Sequence, residues 1–279
     1  MPLGPFDWTG GSFLALYAGL LVLALVAAIS IPRRLRPQGR WQRLTDPDEL
    51  AYLAGGPVRF VDAVVARLLT NGDMSLHDRR KLLARHPGQG RTAAEMRLLA
   101  LPGPVGWGRI RSEIIDYAQP VRATLERKGA MLDAAEVLRL RLLATLPFAA
   151  LLLFGAIKWQ IGLARDKPVG ILVIFLIATL VCAVIRFAIV DQRTREGIAT
   201  LEAARAKAER LQRAPVTEEM ALAVALFGTT VFVGSSWAGY HELRRAGGSD
   251  GGGSSGSDSS PGDGSCGGGG CGGCGGGGD

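Results

Sequence analysis

The sequence predicts a mainly α fold: an integral membrane protein with about three transmembrane helices, a fourth candidate, and a small helical, winged-helix-like cytoplasmic domain. Three observations predict it. Three apolar runs match the roughly 20 residues that cross about 30 Å of hydrocarbon. A charged stretch with helically spaced apolar residues separates the first run from the second. The last 33 residues, Gly247 to Asp279, are almost entirely Gly, Ser and Asp, a composition with too few side chains to bury.

Residues 1–11 read as an external N-terminus; they contain Asp7 and no Lys or Arg. Residues 12–31, SFLALYAGLLVLALVAAISI, carry no charge and read as transmembrane helix 1, with Trp8 at the expected interface depth. A cleaved signal peptide fits poorly, because the basic charges follow the run instead of preceding it. Pro32, Arg33, Arg34 and Arg36 are expected to stop the helix at the headgroups.

Residues 32–141 read as a cytoplasmic helical domain. Over 31–141 there are 20 Lys/Arg against 12 Asp/Glu, a net of +8 that exceeds the +7 of the whole chain. Such an excess beside a span is first a topology signal. Asp46 is expected to cap a helix opened by Pro47, and Gly55-Gly56 to break it before Pro57. Val58, Val61, Val64, Val65, Leu68 and Leu69 then give one apolar face, closed by Asn71-Gly72. Met74–Leu76 and Lys81–Leu83 read as short strands around a His77–Arg80 turn. Ala93–Leu101 and Trp107–Ala118 read as helices, and Pro120 as the opening of another that Gly129 stops. Leu68-x-x-x-Gly72-x-Met74 recurs as Leu125-x-x-x-Gly129-x-Met131, which suggests an internal repeat of two degenerate winged-helix-like units. No helix gathers Arg, Lys, Asn and Gln on one face, so the pattern speaks against nucleic acid and for a protein partner or anionic lipid.

Residues 142–163 read as transmembrane helix 2, with Pro147 in its first turns and Lys158 snorkelling beside Trp159. Residues 169–190 read as helix 3, ending near Arg186; the short 164–168 connection forces an antiparallel hairpin. The basic flanks put the N-terminus outside and residues 32–141 in the cytoplasm. Residues 191–220 read as a helical segment. Residues 221–240 are uncharged but rich in Gly, Ser and Thr in their second half. Three readings stay open there: a fourth span, a re-entrant hairpin, and a helix packed on the rest of the chain. Residues 247–279 read as a disordered tail.

The sequence contains no G-x-x-x-x-G-K-[ST] or H-E-x-x-H, and G-x-S-x-G occurs only as low-complexity Gly/Ser sequence in the tail, at Gly247–Gly251 and Gly252–Gly256. His77, His86 and His241 are far apart in sequence, and no catalytic residue, metal site or cofactor is expected. Cys271-x-x-Cys274 has the spacing of half a zinc site and Cys266 offers a third thiolate, but polyglycine supplies neither a fourth ligand nor a scaffold. These three cysteines are weak metal candidates at most.

The Trp8-Thr-Gly-Gly-Ser-Phe-Leu14 entry, the Leu50–Pro57 helix break, Lys167-Pro-Val-Gly170 and Val224-Ala-Leu-Phe-Gly228, together with the tail, resemble a family of uncharacterised bacterial membrane proteins described as "near-uncomplex". The resemblance implies a multi-pass protein of the bacterial inner membrane and carries no site residues. The expected function is a non-enzymatic protein-interaction or membrane-surface module. Two alternatives are a membrane carrier for a tail that is modified, cross-linked or metal-binding, and a membrane-tethered winged-helix-like regulator.

Overall fold

The structure is a computed structural model that describes residues 10–41, 44–78, 81–164, 170–213 and 216–247. Residues 1–9, the Arg79–Arg80 turn, the 165–169 connection and the tail with Cys266, Cys271 and Cys274 lie outside the described residues.

The chain is mainly helical, and three of its helices are long and apolar enough to cross a membrane: α1 (Gly10–Leu35), α6 (Ala134–Ala164) and α7 (Gly170–Ala188). They pack as a bundle around Phe13, Tyr17, Ala24, Ala28, Phe148, Leu151 and Leu172. Phe13 stacks on Phe154 at 5.4 Å between ring centroids, and Tyr17 meets Phe175 edge-on at 5.9 Å. Thr179 donates to the Phe175 carbonyl at 2.8 Å, so the Tyr17 hydroxyl, 3.1 Å from Thr179 Oγ1, is the donor between them. Lys158 lies over the Phe13 ring at 5.0 Å.

Two expected boundaries move. Pro32 does not stop α1, which runs one further turn to Leu35; a proline in a last turn costs only one backbone bond. The second apolar helix starts at Ala134, not Leu142, which puts Pro147 in its interior.

The remaining elements form a helical module. α2 (Pro47–Thr70) is capped by Asp46, whose carboxylate accepts from the Asp48 amide at 2.9 Å. It turns sharply at Gly55-Gly56, where Gly56 has φ 68°. β1 (Met74–Asp78) and β2 (Lys81–Ala84) pair antiparallel, and Leu82 also exchanges backbone bonds of 2.8 Å with Val105. α3 (Ala93–Leu99) opens on a Thr92/Glu95 capping box. α4 (Trp107–Ile114) leads through a 3-10 turn into α5 (Ala118–Arg127), which begins two residues before Pro120. The two halves of the Leu–Gly–Met pattern share their local geometry: Gly72 and Gly129 both have positive φ, and both methionines enter strand pairing. Beyond that they diverge. Met74 starts a hairpin, whereas Met131 bridges to Arg193 across the chain.

After the bundle the chain returns to the module as α8 (Arg195–Lys207), α9 (Glu209–Arg213), α10 (Met220–Phe227) and α11 (Ala238–Gly247). The Ala221–Tyr240 segment is therefore no fourth span. Gly228 at φ 88° and Gly234 at φ 84° break it, leaving α10 with 8 residues. At 1.5 Å per residue that covers about 12 Å, far short of a bilayer. Ala223, Val224, Ala225 and Leu226 are fully buried against α2 and its neighbours. The face of α10 made by residues 223–226 is apolar because it packs against protein.

Candidate functional site

Where the bundle meets the module, three connecting segments are tied together through their backbones. Arg195 and Glu196 amides donate to the Pro37 and Gln38 carbonyls at 3.1 and 2.9 Å. The Thr194 amide donates to Ala130 at 3.1 Å, and Leu132 to Gln192 at 2.9 Å. Arg40 closes the ring onto the Gly129 carbonyl, which also accepts from Thr194 Oγ1 at 2.8 Å. Gly39, at φ 79°, admits no side chain here, because a Cβ would run into the Gly129 carbonyl and Thr194. The three apolar helices and the module are thus joined by a hydrogen-bonded knot.

Much of the positive charge is spent on carbonyls at helix ends. Pro32 has no N–H to offer Ala28, four residues back, and Arg186 Nε supplies the missing donor at 2.9 Å. A second Arg186 nitrogen reaches Ile189 O, just past α7, at 2.9 Å. Arg195 donates to the Arg33 and Arg34 carbonyls at 3.1 and 2.7 Å, closing α1. Arg193 reaches Ala54 O at 2.7 Å, the carbonyl left open where α2 breaks. Arg205 does the same for Leu226 at the end of α10, and Arg59 adds a 3.4 Å contact to Val224 O, which already accepts from the Gly228 amide at 2.9 Å. Cations at helix C-termini complete orphan carbonyls and oppose the helix dipole.

Buried ion clusters hold the module. Asp62, 4% exposed, accepts from Tyr240 Oη and Arg244 Nε, each at 2.9 Å, and Arg244 stacks 4.3 Å above Trp107. Burial raises the Asp62 carboxyl above its ordinary value against the pull of Arg244, and raises the Tyr240 hydroxyl well above its own. Arg67 joins Asp48, at 2.9 and 3.3 Å, to Glu95; burial still lifts Asp48. Lys128 Nζ sits 2.6 Å from both Glu49 oxygens. Sequence reading missed Asp62; the available signal was an acid set within the apolar run Val61-Asp62-Ala63-Val64.

These groups anchor one another through paired charges. His86 lies 3.7 Å from Asp73, His241 bonds Thr229 Oγ1 at 3.0 Å, and His77 is exposed. Among the described residues no group of His, Cys, Asp and Glu could hold a metal ion. Cys182 is half-buried in the bundle as a free thiol. Comparison with known protein families, curated proteins and solved structures finds no match for this chain.

Proposed function

We propose that this chain is a multi-pass protein of the bacterial inner membrane, with residues 32–141 in the cytoplasm. In this reading its helical module is a non-catalytic platform that holds a protein partner or the lipid surface at the bilayer. The observation that carries the reading is the contrast between the two parts. On the bundle, Leu23, Leu146, Leu153 and Ile174 are more than 60% exposed, a cost that a surrounding lipid phase removes. In the module, apolar residues of the same kind are enclosed. The hydrogen-bonded knot supports a platform held in fixed orientation rather than a domain on a flexible leash. The resemblance to "near-uncomplex" membrane proteins points the same way. A DNA-binding regulator gains support only from the β1–β2 hairpin, since Arg59, Arg193, Arg195 and Arg205 are engaged on backbone carbonyls.

The test uses a Cys182→Ala background, leaving Cys266, Cys271 and Cys274 as the thiols. The last described helix, α11, ends in the module, which this reading places in the cytoplasm. The protein is expected to resist alkaline carbonate extraction and to react with an impermeant maleimide in inverted vesicles only. Labelling from the periplasmic face of intact cells overturns the orientation, and carbonate extraction overturns the membrane reading.

A further inference from the structure

The module end of the bundle carries positive charge that the protein does not use. Among the described residues the guanidinium groups of Arg33, Arg34 and Arg139 make no ion pair or hydrogen bond, unlike Arg36, which pairs with Asp191 at 3.1 Å. At the same level Arg36 Nε and Arg141 Nε are buried without a hydrogen-bond partner. Buried donors of this kind are rare in folded proteins.

A groove lies between the end of α1 and the start of α6, lined by Leu35, Pro37, Glu136, Arg139, Leu140 and Leu143. It encloses about 130 Å³, room for roughly four waters at their liquid volume or for one glycerol-sized group. Its floor is aliphatic and its guanidinium is Arg139. The one acid present, Glu136, is engaged in a reciprocal cap with Asp133 at the start of α6, at 2.7 and 3.4 Å. Arg139 is flanked on α6 by Leu138, 50% exposed, and Leu142, 55% exposed. Apolar side chains exposed on either side of a cation set its depth at the boundary between acyl chains and headgroups.

We infer that this groove binds an anionic phospholipid: its phosphodiester lies on Arg139 with Arg33 and Arg34 nearby, and its acyl chains run along Leu138, Leu142 and Leu146. The inference rests on the membrane reading above. Guanidinium groups match phosphate oxygens in geometry and charge. A zwitterionic headgroup brings its own cation into a field that is already positive, so an anionic headgroup is preferred.

The experiment purifies the full chain in mild detergent with equimolar phosphatidylglycerol and phosphatidylcholine and counts retained lipids by native mass spectrometry. Wild type is expected to retain phosphatidylglycerol over phosphatidylcholine. Arg139→Gln and Arg34→Gln should each lower that retention about fivefold, the worth of one basic residue at an anionic surface. Arg111→Gln, an exposed site in the module, should leave it unchanged. Equal retention of both lipids by wild type overturns the inference, as does an unchanged Arg139→Gln or an equal loss in Arg111→Gln. Carbonate extraction of the starting membranes separates the two failures. An extractable protein removes the membrane reading, whereas an inserted protein without headgroup preference removes this inference alone.

Discussion

Replacing Ala225 by leucine gives opposite outcomes for a helix packed in protein and a helix in lipid. Ala225 is fully buried in a cluster with Ala51 and Ala63, two alanines of α2, so α2 and α10 touch through methyl groups. Leucine adds three carbons where neither backbone can retreat, since α2 is held by the Asp48–Arg67–Glu95 cluster and α10 by Arg59 and Arg205. Overpacking of this kind costs about 1–3 kcal/mol. For a segment crossing hydrocarbon the same change is favourable, because central leucine contributes roughly −0.3 to −0.6 kcal/mol to insertion. Urea unfolding in detergent, followed through the fluorescence of Trp107 and Trp237, reads the difference, since both rings pack in the aromatic cluster around Phe232 and Tyr240. A 2 kcal/mol loss at a slope near 2 kcal/mol/M lowers the midpoint by about 1 M. Val224→Ala, which removes two buried carbons, should also lower it, by about 2 kcal/mol including the cavity left behind. An unchanged or raised midpoint for Ala225→Leu refutes the packed α10.

Three further outcomes follow from the same contacts. Gly155→Leu places a Cβ 2.7 Å from Leu176 Cδ2 and 2.9 Å from Tyr17 Cε2, so the bundle should loosen and alkylation of half-buried Cys182 in detergent should accelerate; an unchanged rate contradicts the packing. Arg186→Lys should destabilise by about 2 kcal/mol through lost charged hydrogen bonds, but by less in a Pro32→Ala background, where an amide again serves Ala28; additive losses in the double-mutant cycle rule out the coupling. Asp62 has a raised folded carboxyl, so the native state holds a proton that the unfolded chain releases above about pH 3.8. Its contribution to stability is therefore fully present at low pH and falls as pH rises through the raised value, and Asp62→Asn should remove that component from the pH dependence of the urea midpoint.

The three apolar helices were legible because length and absence of charge are local properties. Their ends were not: Pro32 reads as a stop, yet α1 continues because Arg186, 154 residues away, replaces the donor that proline lacks. Asp46 and the Gly55-Gly56 break were legible for the same local reason. Ala221–Tyr240 was ambiguous because composition cannot separate a helix enclosed by protein from one enclosed by lipid; only the packing of Ala225 on Ala51 and Ala63 decides. The Asp62–Tyr240–Arg244 cluster joins residues 178 and 182 positions apart, a pairing no local pattern reveals.

The charge pattern at the base of the bundle follows from helix direction. α1 and α7 both end at this plane and point their negative dipole ends toward the module, where Arg195 serves the carbonyls of α1 and Arg186 that of Ile189. α6 begins at the same plane, and there the side chains are acids, Asp133 and Glu136. The residues that would orient the chain in a bilayer therefore also complete its helix ends, because two C-termini and one N-terminus face the same side. That accounting covers Arg186, Arg193 and Arg195. It does not cover Arg33, Arg34 or Arg139, which are exposed and make no ion pair among the described residues. In a chain that satisfies so many orphan carbonyls with arginine, the guanidiniums left over are the ones that the proposed phosphodiester would neutralise, since it has the charge and geometry to do so.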